Sequence, residues 1–411
     1  MVELRDTVII GGGQAGLAMS SQLRERGCDH VILERQRVAQ RWRSERWDSL
    51  CFQFQNSYIR LPGMSYAGDD PDGFAHYSLI IRFLEDYAAH IAAPVREGAE
   101  VTSLRRSARD GSYLLGTPDG AIEARNVVIA TGPFQRAFVP EFGKNLPPAI
   151  YQVDASRYKN PDELPPGAVL VVGSGASGCQ IAEELYQCGR TVFLAVSRHR
   201  RVPRRYRGKD LVWWFEKLGR FEVAVDSFPE RRFPPSSIIT GVGGGHDLDI
   251  RRFAADGVKV IGHLEGISGG TLAVAENANQ ILDEADKSCR DFISAADDLA
   301  GKQSLSLPPE ESLGAPNFEP PAIEEIQALR LRDAGITSVI WAAGYRFSYD
   351  WIQLPILDAN GSPIQDRGVT SCPGVYFLGL HWMHTFKSGL LPYIGQDAAY
   401  LAEHIDARKG N

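Results

Sequence analysis

The glycine pattern G-x-G-x-x-G occurs twice in this chain, each time between an apolar run and a helix-like segment. The apolar runs, at residues 7–10 and 168–172, have the composition of buried parallel strands. In this arrangement the first glycine permits a tight turn, the second lets the backbone approach a pyrophosphate, and the third lets the helix pack on the strand. The two glycine sets are Gly11, Gly13, Gly16 and Gly173, Gly175, Gly178. The sequence therefore predicts an α/β protein with two Rossmann-like dinucleotide-binding domains.

The acidic residue Glu34 follows the next strand-like run of the first copy, residues 30–33. A carboxylate at this distance from the glycines accepts hydrogen bonds from a ribose diol, and its charge disfavours a 2′-phosphate. The first fold is therefore expected to bind FAD or NAD(H), not NADP(H). Its candidate cofactor-binding residues are Gly11, Gly13, Gln14, Ala15, Gly16, Glu34 and Arg35.

The second copy lacks this acid. Counting from the first glycine, Val196 matches Glu34, and Ser197 and Arg198 follow it in a basic run that extends to Lys209. A guanidinium can bind a phosphate through two parallel hydrogen bonds, so this change favours a cofactor with a 2′-phosphate. The second fold is therefore expected to prefer NADPH over NADH. Its candidate residues are Gly173, Ser174, Gly175, Ala176, Ser177, Gly178, Ser197, Arg198 and Arg201.

Small-residue turns follow two further strand-like runs, at residues 130–132 and 342–344, and glycine there permits close approach to a cofactor. Near the chain end, a third run ends in glycine, and a helix begins whose N-terminus is expected to face a flavin pyrimidine ring. These turns and the start of this helix supply further candidate cofactor-binding residues: Ala130, Thr131, Gly132, Ala343, Gly344, Gly379 and Gln396.

The order of these segments predicts that the second nucleotide fold is inserted into the first. The predicted limits are residues 1–160 for the first part of the FAD-binding domain, 161–325 for the NADPH-binding domain, and 326–411 for the second part of the FAD-binding domain. Proline-rich stretches at residues 160–166 and 306–321 mark the boundaries.

Composition narrows the classes of partner. The formal net charge of −7 argues against nucleic acid as a partner, since phosphate contacts need a basic footprint. No run approaches the length of a membrane span, and the N-terminus lacks the features of a signal peptide. The six cysteines include no Cys-x-x-Cys pair, which fits a cytoplasmic protein without a zinc or dithiol site. His381 and His384 lack a third ligand nearby, so no metal is expected. A homodimer is the base-rate expectation for the assembly.

The sequence resembles the class B flavin-dependent monooxygenases, which include flavin-containing monooxygenases, indole-pyruvate monooxygenases and Baeyer–Villiger enzymes. The resemblance covers nearly the whole chain. It is carried by the glycine motifs and by Arg41-Trp42-Arg43, Leu61-Pro62-Gly63 and Ala342-Ala343-Gly344-Tyr345. It implies a disulfide-reductase-like flavoprotein architecture, with FAD in the first fold and Arg41 and Trp42 beside it. One departure is Asp154, which occupies the position of the family's linker histidine and weakens the case for a Baeyer–Villiger enzyme.

The resemblance also implies a reaction. NADPH reduces FAD, O₂ adds to give a C4a-(hydro)peroxyflavin, and one oxygen atom enters a small-molecule substrate at nitrogen, sulfur or an oxo-acid carbon. The protein then positions the cofactors and excludes water. The candidate catalytic residues by approximate alignment are Gln53 and Asn56, in a segment at residues 48–58 that alternates polar and aromatic side chains. The same two amides could instead serve only to tie down a loop.

Two alternative functions stay open at the level of sequence. One is an NADPH-dependent flavin reductase or oxidase that inserts no oxygen, although the missing Cys-x-x-Cys excludes its dithiol form. The other is a regulatory protein that binds FAD and NADPH without turnover.

Overall fold

The computed structural model describes residues 2–109, 111–228, 234–235, 237–309 and 322–409. The helices are α1 (Gln14–Glu25), α2 (Gln40–Ser44), α3 (Tyr77–His90), α4 (Ala176–Gln187), α5 (Leu211–Lys217), α6 (Ile250–Ala255), α7 (Ala278–Lys302) and α8 (Ile394–Ala407). The strands are β1 (Glu3–Ile10), β2 (His30–Leu33), β3 (Arg60–Leu61), β4 (Met64–Ser65), β5 (Val95–Arg96), β6 (Ser103–Arg106), β7 (Tyr113–Thr117), β8 (Gly120–Ile129), β9 (Arg136–Ala137), β10 (Tyr151–Asp154), β11 (Ala168–Val172), β12 (Val192–Ala195), β13 (Arg205–Tyr206), β14 (Lys209–Asp210), β15 (Ile239–Thr240), β16 (His246–Asp247), β17 (Lys259–Ile261), β18 (Leu264–Ser268), β19 (Thr271–Val274), β20 (Ala328–Arg330), β21 (Ile336–Trp341), β22 (Tyr345–Arg346) and β23 (Val375–Phe377).

The first sheet is built around β1. Strands β2 and β8 flank β1 in parallel, β5 continues beyond β2, and β7 and β6 follow β8 in antiparallel fashion. The C-terminal strand β23 pairs in parallel with the end of β8, and α8 packs with α1 in one hydrophobic cluster. The two ends of the chain therefore build one sheet and its covering helices.

The second sheet is entirely parallel, in the order β10-β21-β11-β12-β17. All five residues of β11 are buried, as expected for a strand covered on both faces. The predicted class, an α/β protein with two Rossmann-like sheets, is thereby confirmed.

Two strands of the second sheet lie outside the range predicted for the NADPH-binding domain. Strand β10 precedes residue 161, and β21 follows residue 325. The predicted limits rest on the positions of prolines, whereas sheet membership depends on the pairing of β10 with β21 and of β21 with β11, which composition does not reveal. The second proline-rich stretch is only partly described, because residues 310–321 lie outside the described part of the chain. The domain limits stay a prediction.

Helix α7 spans Ala278–Lys302 and buries Ile281, Ala285, Cys289 and Phe292. All six cysteines are free. Among the described residues, no helix has the length and apolar character needed to cross a membrane.

Candidate functional site

The first glycine turn places its glycines in contrasting environments. Gly11 has a φ of +113°, and a Cβ there would lie 2.6 Å from the Ala130 carbonyl oxygen. A Cβ on Gly16 would lie 1.9 Å from the Gly11 carbonyl oxygen. By contrast, a Cβ on Gly13 would meet no atom within 4 Å, and Gly13 is the N-cap of α1, with no side chain capping the helix. Gly13 therefore borders open space beside the unpaired N–H groups of a helix, where a pyrophosphate can bind.

The second glycine turn repeats this geometry. Gly173 has a φ of +106°, and its Cβ would lie 2.5 Å from the Ala342 carbonyl oxygen. A Cβ on Gly178 would lie 1.9 Å from the Gly173 carbonyl oxygen, whereas a Cβ on Gly175 would meet nothing within 4 Å. Gly175 is likewise an N-cap with no side-chain cap, here of α4. The two turns therefore share one geometry, with open space beside a helix N-terminus at Gly13 and at Gly175, and we call these two places the glycine cradles.

The two turns differ in the group that accepts their central N–H. In the first, the Gly12 N–H donates to Glu34 Oε2 at 2.7 Å. In the second, the Ser174 N–H donates to Ser197 Oγ at 3.2 Å, and the Ser174 hydroxyl donates to the Ser197 carbonyl at 2.8 Å. Strand register places Glu34 and Val196 one residue beyond equivalent strand ends, as the glycine count predicts. A carboxylate in one fold is thus replaced by a neutral hydroxyl in the other.

The two arginines predicted to bind the 2′-phosphate lie in different environments. Arg198 is exposed and forms no ion pair with a described residue. Arg201 Nη2 lies 2.7 Å from Asp249 Oδ2, and its Nη1 lies 2.9 Å from Asp286 Oδ1. Two carboxylates already neutralise Arg201, whose side chain joins α6 to α7. Of the two predicted arginines, Arg198 is therefore the one whose charge no described residue neutralises.

His199 is a residue that the sequence reasoning missed. It is only 6% exposed, and its Nδ1 lies 2.9 Å from the Ser197 carbonyl and 3.1 Å from the Ser174 hydroxyl. Burial lowers the His199 pKa, so the ring is neutral near neutral pH. His199 therefore fixes the loop that carries Arg198. A histidine within a basic run gives no sequence signal of burial, so only its position next to Arg198 could have drawn notice.

The candidate catalytic amides lie three residues apart on one segment but in different environments. Asn56 is 4% exposed, and its Nδ2 donates to the Asp70 carbonyl at 2.8 Å. Its Oδ1 is buried without a hydrogen-bond partner among the described residues. The half-buried Gln53 side chain likewise has no partner in the described part of the chain. A buried amide oxygen without a donor is costly, so Asn56 has the capacity to accept one further hydrogen bond.

The predicted residues Arg41 and Trp42 lie in the short helix α2. Arg41 donates to the Phe134 carbonyl and forms an ion pair of 2.7 Å with Glu45. The Trp42 ring packs edge-on against Phe52, with ring centroids 6.3 Å apart. The predicted Arg35 is exposed.

The C-terminal candidates meet the first glycine turn. Gln14 Nε2 donates to the Gly389 carbonyl at 2.8 Å, and a Cβ on Gly379 would lie 2.5 Å from the Ala15 Cβ. Gln396 lines a cavity of about 220 Å³ at the N-terminus of α8. The remaining candidates lie at the two small-residue turns or in the first turn of α4: Thr131, Gly132, Ala343, Gly344, Ala176 and Ser177.

The rings of His381 and Phe134 are in contact, with centroids 5.2 Å apart. Burial lowers the His381 pKa to about 4, so this imidazole is neutral at physiological pH. The described residues contain no group of three His, Cys, Asp or Glu side chains suited to a metal ion.

Sequence comparison with known proteins shows the family of this chain. Residues 8–212 match the family model described as pyridine nucleotide-disulphide oxidoreductase. An uncharacterized CzcO-like oxidoreductase of Geobacillus kaustophilus is 35% identical over 98% of this chain and 99% of its own length. The chain belongs to this oxidoreductase family.

More distant relatives connect the family to monooxygenases. A probable indole-3-pyruvate monooxygenase of Arabidopsis thaliana is 30% identical over 46% of this chain and 46% of its own length. A flavin monooxygenase from Stenotrophomonas maltophilia, solved as a double mutant, covers 99% of this chain and 100% of its own, with a TM-score of 0.68 at 19% identity. The predicted resemblance to flavin-dependent monooxygenases is thereby confirmed, and the protein is an oxidoreductase. Another structure of this fold, an ornithine N-hydroxylase of Kutzneria sp., is a complex with reduced FAD and NADP⁺, and it covers 99% of this chain and 100% of its own, with a TM-score of 0.61 at 15% identity.

Proposed function

We propose that this protein is an FAD- and NADPH-dependent monooxygenase that inserts one oxygen atom into a small molecule at nitrogen, sulfur or an oxo-acid carbon. The observation that carries the proposal is the presence of two open glycine cradles with different acceptor groups. The cradle at Gly13 lies beside the Glu34 carboxylate, and the cradle at Gly175 lies beside Ser197 and precedes Arg198, whose charge no described residue neutralises.

The first cradle suits FAD. The N–H groups at the start of α1 would bind the pyrophosphate at Gly13, and Glu34 would accept hydrogen bonds from the ribose. The buried Asn56 Oδ1 would accept a hydrogen bond from the flavin ring system, which resolves its missing partner. When bound, FAD would accept hydride from NADPH and activate O₂ at its C4a position.

The second cradle suits NADPH. The start of α4 would bind the pyrophosphate at Gly175, and Arg198 would contact the 2′-phosphate without competition from a carboxylate. Val196 occupies the position where the first fold has Glu34, and the neighbouring Ser197 adds no negative charge. NADH would lose the contact with Arg198 and would bind more weakly.

The thiols favour oxygen transfer over dithiol chemistry. Cys51 is the cysteine of the candidate catalytic segment, and burial raises its pKa, which keeps it a thiol. No second cysteine precedes or follows it closely in the sequence. A disulfide reductase that cycles through two adjacent thiols needs a partner sulfur and a reactive thiolate, and this segment supplies neither.

The proposal extends to organisation and location. We assign the NADPH-binding domain to residues 151–342, from sheet membership, and the FAD-binding domain to the two flanking parts. The six free thiols favour the cytoplasm. We expect a homodimer, which light scattering would test.

The test is oxygen incorporation. The FAD-loaded protein is supplied with NADPH, isotopically heavy O₂ and a panel of amines, thioethers and 2-oxo acids, and products are analysed by mass spectrometry. A product that gains one heavy oxygen atom, with consumption of NADPH in equal amount, supports the proposal. NADPH oxidation that yields only hydrogen peroxide across the panel would favour the oxidase. No NADPH oxidation at all would favour the regulatory protein.

A further inference from the structure

Two residues of the second domain bind the candidate catalytic segment, residues 48–58, one at Gln53 and the other at its end, Tyr58. Arg204 Nη1 donates to the Gln53 carbonyl at 2.6 Å. At the other end, the Tyr58 hydroxyl donates to Glu216 Oε2 at 3.0 Å. The segment that carries both candidate amides is therefore bound to the second domain at two points, in addition to its hydrogen bonds within the first domain, such as that from Asn56 Nδ2 to the Asp70 carbonyl.

Arg204 is built into the interior. It is 1% exposed, and its Nε donates to Asp210 Oδ2 at 2.9 Å. Its Cζ lies 4.2 Å from the centroid of the Phe74 ring, which belongs to the first domain. Asp210 is fixed in turn, because its Oδ1 accepts the Val212 N–H at 2.9 Å and caps α5. Stability alone does not explain such a pair, since apolar replacements of a buried ion pair are often neutral or stabilising.

The location of Arg204 connects it to the second nucleotide. It lies on the connection after β12, the same connection that carries Arg198. An arginine can bridge a carboxylate and a carbonyl with the fixed geometry of its planar guanidinium. A movement of this connection when the nucleotide binds would therefore be transmitted to the Gln53 carbonyl.

We propose that Arg204 is a positioning residue through which occupancy of the NADPH site sets the placement of Gln53 and Asn56 against the flavin. The inference rests on the proposed function, since it requires FAD in the first fold and NADP(H) in the second. Asp210 holds the guanidinium in the orientation that reaches the Gln53 carbonyl.

The experiment titrates NADP⁺ into the FAD-loaded protein, so that no turnover occurs. Calorimetry measures NADP⁺ binding, and the visible difference spectrum measures the response of the flavin. R204K keeps the charge but has no planar fork to reach both Asp210 and Gln53. It is expected to bind NADP⁺ within about twofold of the wild type, while the flavin difference spectrum falls at least about fivefold.

The matched control is R205K. Arg205 is the adjacent arginine, is exposed, and donates to the carbonyls of Gly244 and Gly245 instead of Gln53. R205K is expected to keep the full flavin response. A purely structural role for Arg204 would lower the melting temperature and FAD content of R204K but leave the spectral response per bound flavin unchanged.

The outcomes separate this inference from the proposed function. Equal flavin responses in wild type and R204K, with NADP⁺ bound in both, would overturn the inference and leave the function standing. A wild-type protein that binds no NADP⁺ would overturn both. If R204K does not fold, D210N replaces it, because asparagine keeps an acceptor for the Val212 N–H; an undiminished response in D210N would also overturn the inference.

Discussion

Alanine substitutions of the glycines in the second turn separate a binding role from a packing role. Gly175 has a φ of −71° and a ψ of 178°, which any residue adopts, and its Cβ would meet no atom within 4 Å. The Cβ of Gly178→Ala would lie 1.9 Å from the Gly173 carbonyl oxygen, far inside the contact distance of about 3.5 Å. We expect Gly175→Ala to fold and Gly178→Ala to be destabilised.

The magnitudes follow from these surroundings. For Gly175→Ala, the poorer N-cap and the reduced entropy of the unfolded chain oppose each other, so the free energy of unfolding should change by less than about 1 kcal/mol. The added methyl group fills the space assigned to the pyrophosphate, at a cost of about 1–3 kcal/mol, or roughly 5- to 150-fold in NADP⁺ affinity. For Gly178→Ala, helix α4 must move away from the turn, and the cost falls on folding, at about 3 kcal/mol or more.

The assay combines calorimetric titration of NADP⁺ with thermal unfolding of the FAD-loaded proteins. Gly175→Ala should lose NADP⁺ affinity while keeping the wild-type melting temperature and FAD content. Gly178→Ala serves as the packing control and should melt at a lower temperature. Wild-type NADP⁺ affinity in a folded Gly175→Ala variant would refute the assignment of the pyrophosphate to the start of α4.

Three further predictions address the other groups. Gly13→Ala should purify with little FAD, although its apoprotein melts like the wild-type apoprotein. Full FAD content would contradict the assignment of the FAD pyrophosphate to the cradle at Gly13. Arg198→Ala should raise the KM for NADPH at least about tenfold and leave that for NADH unchanged, because it removes a charged contact with the 2′-phosphate. Arg201→Ala should instead lower the melting temperature. A selective rise in the KM for NADPH in Arg201→Ala would contradict its assignment as a structural residue. His246 forms a hydrogen bond of 2.8 Å with Glu183, which raises the His246 pKa above its ordinary value. The stabilisation of the folded protein by this pair is therefore full below the ordinary pKa and declines as pH rises through the higher pKa of the folded state. The melting-temperature difference between wild type and His246→Gln should therefore be largest below about pH 6 and shrink in alkali.

The sequence predicted the features that depend on local geometry. At Gly16 and Gly178 an added Cβ would lie 1.9 Å from a carbonyl oxygen, so only glycine fits there. The spacing of such glycines is therefore fixed and is recognisable in the sequence alone. The difference between Glu34 and Val196 could also be predicted from the sequence, because the strands that precede these residues, β2 and β12, have the same length and register. These local constraints explain why both nucleotide folds and the class of the protein were predictable.

The features that depend on long-range contacts were not predictable in the same way. Nothing near Arg201 in the sequence shows that Asp249 and Asp286 neutralise it. The assignment of β21 to the second sheet requires pairing with β11 across a long insertion. The same holds for Arg204, whose bond to the Gln53 carbonyl joins residues of two domains. In each case the partner is distant in sequence and is set by how the sheets and helices pack.

The most direct test of the central claim is the reaction of the reduced protein with oxygen. The FAD-loaded protein is reduced anaerobically with NADPH and mixed with oxygenated buffer in a stopped-flow spectrometer, in the absence and presence of candidate substrates. Our account predicts complete flavin reduction by NADPH, followed by a transient near-ultraviolet absorbance that precedes the return of oxidised flavin. Failure of NADPH to reduce the flavin, or reoxidation without such a transient in the presence of every substrate class, would contradict it.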